Sequence, residues 1–141
     1  ISAKRVLAIG KDISGTLAES FARSLTLRGI DANYATERGL GLAYASHLTD
    51  KDVLLAFSRS GTTRDINDAI RTASLAGTTC ALVCNNVTSP ISTCCEYHFC
   101  TARVDDVQPV TGSETNTSQY ALMKVMLYII EKKLAREQLC F

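Results

Sequence analysis

Short, wholly apolar runs alternate with longer amphipathic stretches along this chain. VLAI (6–9), VLLAF (53–57) and TCALVC (79–84) are nearly uninterrupted apolar blocks, as expected of strands buried on both faces of a parallel sheet. From 14 to 28, Leu17, Phe21 and Leu25 recur every four residues with Ala18 and Ala22 beside them. That period predicts a helix stopped by Gly29. Ile66, Ala69, Ile70 and Ala73 predict the face of another helix, starting near Thr63 and ending at Gly77. ANYA (32–35) reads as a strand, and RGLGLAYASHL (38–48) as a weaker helix carrying two glycines.

Further along, SPIS (89–92) puts Ser89 at an N-cap and Pro90 at the first position of a short helix. EYHFC (96–100) reads as the last strand, 101–116 shows no clear period, and 117–136 predicts a long closing helix. Loops as long as the aperiodic stretch are commonly functional or disordered. The closing helix carries Ala121, Leu122, Val125, Met126, Tyr128, Ile129 and Ile130, a stripe wider than one sheet contact needs. Part of it is expected to serve a subunit interface, which makes a homodimer the better expectation. Strands alternating with helices predict a doubly wound α/β fold with a parallel sheet.

At 141 residues the chain suits one domain. Because it begins with Ile1 and enters a strand almost at once, it is expected to be a fragment of a longer polypeptide. Fifteen basic against fourteen acidic residues leave a net charge of +1 without a basic stripe. Nucleic-acid binding by this segment is therefore not expected. No apolar run approaches the roughly 18 residues of a membrane span, and ISAKRVLAIG lacks the features of a signal peptide. A cytoplasmic location without membrane association is the expectation.

The six cysteines suggest neither disulfide nor metal. Cys80 and Cys84 lie about 13 Å apart along a strand rising ~3.3 Å per residue, too far to bridge. Cys94, Cys95 and Cys100 form no CxxC pair, and His98 has no histidine partner at helical spacing. They read as small buried hydrophobes, with no metal or other cofactor expected.

The chemistry concentrates in FSRSGTT (57–63), where a buried strand breaks into hydroxyls and a glycine before a helix. Ligands of doubly wound sheets bind beyond the carboxyl ends of strands, and a helix start there favours an anion. Gly61 allows close backbone approach, while Ser58, Ser60, Thr62 and Thr63 can donate to phosphate oxygens. The alternative is that a threonine caps the helix and the serines fill a turn. A second junction, GKDISGT (10–16), places Ser14 and Thr16 at another strand end. It is not a dinucleotide fingerprint, because Asp12 stands where the second glycine belongs, and no GxxxxGK[ST] loop occurs.

SRSGTT resembles the SxSGxT signature of SIS (sugar isomerase) domains, and GKDISGTLA is similar to that family's first strand-to-helix junction. CNNVTSPIS resembles the segment after the fourth strand in effector domains of RpiR-type transcriptional regulators. The resemblance implies a flavodoxin-like, three-layer αβα sandwich around a five-stranded parallel sheet. It also implies that Ser58, Ser60 and Thr63 bind a sugar phosphate, with Gly61 at the tight turn and Ser14 contacting it from the first junction. Asp12 departs from a frequent glycine, and Arg59 occupies a variable position. Glu114 and Ser118 fall near an acidic residue and a serine that many SIS domains carry at the start of the last helix.

Isomerisation of a sugar phosphate needs a base and an acid within hydrogen-bond reach. Glu114, His47 and His98 are the candidates, with Glu114 also readable as an exposed loop carboxylate and His98 as a packed residue. SHLTDKD and YALMKVM stand where isomerases of this family carry HxGDLG-like and GDALA-like stretches. The sequence therefore favours a non-catalytic phosphosugar sensor of an RpiR-type regulator. DNA would be contacted only through a helix-turn-helix domain outside this chain. A sugar-phosphate or aminosugar-phosphate isomerase is the alternative, and a SIS fold kept only for dimerisation is a third reading.

Overall fold

Val6, Leu7, Ala8 and Ile9 are all buried, because their strand runs through the interior of the sheet with neighbours on both sides. In this computed structural model the described residues are 3–101 and 113–139, with side chains from 117 onward in the second stretch. The strands are β1 (Val6–Gly10), β2 (Ala32–Ala35), β3 (Val53–Phe57), β4 (Thr79–Cys84) and β5 (Tyr97–Cys100). All pair in parallel, giving a five-stranded sheet of order β2-β1-β3-β4-β5. The helices are α1 (Ile13–Thr26), α2 (Leu40–Ala45), α3 (Arg64–Leu75) and α4 (Ser113–Leu139), with a 3-10 turn at Pro90–Cys94.

Because side chains alternate along a strand, the apolar runs supply both faces of the sheet at once. Leu7, Ile9, Leu54, Ala56, Cys80 and Leu82 pack toward Ile66, Ala69, Ile70 and Ala73 of α3. Ala8, Leu55, Phe57, Ala81 and Val83 pack toward α1 and toward Met123 and Leu127 of α4. The result is the three-layer αβα arrangement. Phe21 and Phe57 meet edge to face with centroids 6.1 Å apart, a contact that contributes about 1 kcal/mol beyond its buried area.

The amino ends of β1 and β3 are joined by an ion pair. Arg5 donates through Nε and Nη2 to the two carboxylate oxygens of Asp52 at 3.1 and 2.7 Å. Asp52 also accepts from the Thr49 amide and hydroxyl, at 2.8 and 2.9 Å. The Arg5 guanidinium, opposed by burial, holds the Asp52 carboxyl at about 2, below its ordinary 3.8.

Several elements depart from their predicted extents. α2 begins at Leu40 rather than 38, because Gly39 enters it at φ 77°, a left-handed conformation that a helix cannot continue through, and it ends at Ala45, with turn bonds from His47 and Leu48 in place of the last predicted turn. α4 starts at Ser113 rather than near 117 and runs on to Leu139. Its buried row is Gln119, Met123 and Leu127. Of the expected stripe, Leu122, Met126 and Ile130 are half-buried, whereas Val125, Tyr128 and Ile129 are exposed.

Candidate functional site

β1 and β3 are neighbours, but the chain leaves β1 toward β2 at one edge and leaves β3 toward β4 on the other side. This reversal opens a crevice beyond their carboxyl ends, where open α/β sheets bind ligands. A cavity of about 200 Å³ lies there, lined by Lys11, Asp12, Ile13 and Ser14 from the first junction. Phe57, Ser58, Arg59, Ser60, Thr63 and Ile66 line it from the second.

The 58–63 loop commits its hydroxyl oxygens inward. Ser58 Oγ accepts the Gly61 N–H at 3.0 Å, and Ser60 Oγ accepts from the Thr62 amide and hydroxyl at 3.2 and 2.8 Å. Each serine keeps its own hydroxyl proton to donate, since a hydroxyl has one donor besides its acceptor sites. Thr63 is the N-cap of α3 yet makes no side-chain capping bond. Ser14, only 8% exposed, lines the cavity from the other side. The first amides of α3 have no partner within the helix, and its dipole places positive potential at the same point. On the β3–α3 side, spare hydroxyl donors and the helix start favour an anion.

Gly61 does not line the cavity; it makes the loop possible. Its φ is 67°, and a Cβ there would stand 2.7 Å from Ser89 Cβ and closer still to Ser89 Oγ. Ser89 Oγ instead donates to the Gly61 carbonyl at 2.9 Å. The loop is stitched to the segment after β4 by Asn85 N to Arg59 O at 3.0 Å and by Asn86 Nδ2 to Ser60 O at 3.2 Å. The CNNVTSPIS motif is thus the back wall of the loop. Behind it, Asn85 Oδ1 accepts from Thr101 Oγ1 at 3.0 Å and from Gln119 Nε2 at 2.8 Å.

At the first junction Gly10 lets the start of α1 sit against β1, because a Cβ there would come within 2.6 Å of the Ser14 carbonyl carbon. Asp12, the N-cap of α1, adopts φ 53° and ψ −123° and makes no side-chain capping bond. Exposed Lys11 and Arg59 add positive charge at the cavity, and Asp12 is the carboxylate among its lining residues.

The structure therefore brings Ser14, Ser58, Ser60 and Thr63 around one cavity, with Gly61 beneath the loop. The histidines lie elsewhere. The His47 carbonyl accepts from Arg5, at the opposite end of β1. His98 Nε2 lies 3.0 Å from Cys84 Sγ, a pairing the sequence reading did not foresee. Glu114 is helical in α4, and its side chain falls outside the described residues. Thr101 and Gln119 carry no signal in the sequence, and Asn85 and Asn86 entered only through the CNNVTSPIS resemblance, because their roles depend on partners distant along the chain. Among the described residues no cluster of His, Cys, Asp and Glu could hold a metal ion, and no helix is long and apolar enough to cross a membrane.

The SIS domain family pattern matches residues 1–129. The chain belongs to the SIS domain family. No curated protein sequence matches it. Among solved structures, the NanR protein of Vibrio vulnificus complexed with ManNAc-6P is similar, with a TM-score of 0.81 at 23% identity, over 97% of this SIS domain and 54% of NanR. The domain thus spans about half the length of NanR. The sugar isomerase domain of an RpiR transcription factor from Sphaerobacter thermophilus matches with a TM-score of 0.65 at 20% identity, over 99% of this chain and 80% of its own. A Methanococcus jannaschii protein, whose structure infers a 3-hexulose-6-phosphate isomerase function, matches with a TM-score of 0.79 at 16% identity, over 95% and 72%. At these identities the likeness establishes the SIS fold, including the flavodoxin-like strand order expected from sequence.

Proposed function

We propose that this SIS domain binds a sugar phosphate in the β1/β3 crevice and serves as the effector module of an RpiR-type transcriptional regulator. The observation that carries the reading is the polarity of the 58–63 loop. Its serine oxygens are engaged as acceptors within the loop, leaving hydroxyl donors from Ser58, Ser60 and Thr63, with Ser14 opposite, for a phosphate. NanR, a structural relative, is seen in complex with a phosphosugar. A sensor needs no acid–base pair, and His47 and His98 do not line the cavity. The isomerase alternative is supported by the likeness to the M. jannaschii protein, and turnover of a sugar phosphate by the purified domain would establish it.

Regulation requires that the ligand distinguish two arrangements of the whole protein. In this reading the exposed Val125, Tyr128 and Ile129 of α4 supply a homodimer contact. An attached helix-turn-helix domain, outside this chain, contacts DNA in the cytoplasm. The test is a thermal-shift screen against hexose, pentose and aminosugar phosphates, repeated on Ser60→Ala. Ligand at a hundredfold excess over Kd stabilises by about 2.7 kcal/mol. A shift for one sugar phosphate, lost in Ser60→Ala, is expected; no shift with any of them overturns the reading and favours a dimerisation module.

A further inference from the structure

Among the described residues Asp12 is the non-glycine residue with positive φ. Its φ of 53° and ψ of −123° match the first central position of a type II′ turn, where glycine dominates because a Cβ is crowded. Strained residues of this kind persist where the surrounding structure holds them, and they cluster at functional sites. No side-chain bond repays the strain, since the carboxylate makes no capping bond to α1 and no hydrogen bond or ion pair with the described residues. It stands instead at the cavity, beside a serine that is itself more than nine-tenths buried and has no side-chain partner, Ser14.

The two walls of the cavity therefore differ in chemistry. The β3–α3 wall offers hydroxyl donors and Arg59, which suit a phosphate. The β1–α1 wall adds a carboxylate, which accepts hydrogen bonds only and repels a phosphate dianion. A ligand that satisfies both carries an anion at one end and hydrogen-bond donors at the other. The geometry points to Asp12 as a specificity-determining residue that accepts hydrogen bonds from hydroxyl or amino groups at the unphosphorylated end of a phosphosugar. This assignment rests on the phosphosugar reading above and adds the orientation of the ligand. An ammonium group gains most, because both partners of the bond are then charged.

The test is calorimetric titration of inorganic phosphate, glucose 6-phosphate, glucosamine 6-phosphate and the best ligand of the thermal screen into wild type, Asp12→Gly and Asp12→Asn. Asp12→Gly relieves the backbone and is expected to melt at a higher temperature than wild type. It should nonetheless bind the preferred sugar phosphate about tenfold more weakly or worse, the loss expected for a hydrogen bond to a charged group. Inorganic phosphate should bind equally or more tightly, because a neighbouring negative charge is gone. Asp12→Asn should weaken glucosamine 6-phosphate more than glucose 6-phosphate. Sugar-phosphate affinity kept within about twofold in Asp12→Gly would overturn the assignment while leaving the phosphosugar reading intact. Equal loss of inorganic phosphate and sugar phosphate would also overturn it, by showing that Asp12 only shapes the loop. If wild type binds none of these compounds, the phosphosugar reading falls and takes this assignment with it.

Discussion

Gln119 Nε2 donates to Asn85 Oδ1 at 2.8 Å and reaches the Ser58 carbonyl at 3.4 Å, joining α4 to the ends of β3 and β4. Both partners are acceptors, so the amide nitrogen must face inward. Gln119 is fully buried. Gln119→Leu should destabilise the domain by about 1 kcal/mol, because it takes a donor from the Ser58 carbonyl and from Asn85 Oδ1, the latter keeping its bond from Thr101. Gln119→Glu should cost more, since it turns an acceptor toward acceptors. Chemical denaturation of the variants checks the order; equal stability of all three proteins would show that α4 is held by Met123 and Leu127 alone.

Gly61→Ala confronts two obstacles at once, a left-handed φ and the Ser89 side chain. A loss of roughly 2 kcal/mol in stability is expected. Ligand binding should suffer further, since displacing Ser89 breaks its bond to the Gly61 carbonyl and shifts the donors. Adding Ser89→Gly to Gly61→Ala should recover part of the stability, because it removes both the Oγ and the Cβ that the new methyl group would meet. A double variant no better than the single one would place the whole cost in φ.

The strands were legible because burial on both faces leaves an apolar run with little ambiguity, and 53–57 and 79–84 are observed as read. That Ser58 and Ser60 line a crevice was legible because they sit at a strand end just before a helix. Ser89 shows where such reading stops. Its place before Pro90 suggests an N-cap, yet its hydroxyl crosses to Gly61, 28 residues away. Gln119 gave no signal either, being one polar residue near the start of a helix whose packing row only the tertiary structure defines. The start of the weak helix over 38–48 was moved for a local reason, the left-handed turn at Gly39.

Asp52 links stability to acid. Its folded-state carboxyl titrates at about 2 against an ordinary 3.8, a difference of roughly 2 kcal/mol of stability. Because the folded value is the lower one, this contribution is present above about pH 4 and is lost as the pH falls toward 2. Asp52→Asn should therefore flatten the dependence of unfolding free energy on pH in that window. An unchanged slope would mean that the ion pair with Arg5 does not hold the carboxylate in solution.

The thiols should react in an order set by burial. Cys100 is exposed, whereas Cys80 is fully buried with its thiol pushed up to about 12 by desolvation. Cys95 is also pushed up to about 12, mainly by burial. Since the thiolate is the reactive form, alkylation of the folded protein at neutral pH should modify Cys100 before the other described cysteines and Cys80 only on unfolding. Peptide mapping by mass spectrometry after timed quenching checks this. Early modification of Cys80 would show that β4 opens locally.

The bond from Gln119 to Asn85 also fixes a direction. From Gln119 to Leu139 the helix runs on for about 30 Å at ~1.5 Å per residue. A tilt of about 10° at Gln119 would carry the far end of such a rod roughly 5 Å sideways. The candidate phosphate loop and the remote tip of α4 are thus two ends of one rod packed into the core at Met123 and Leu127, and the displacement from any tilt of that rod would be largest where the helix ends.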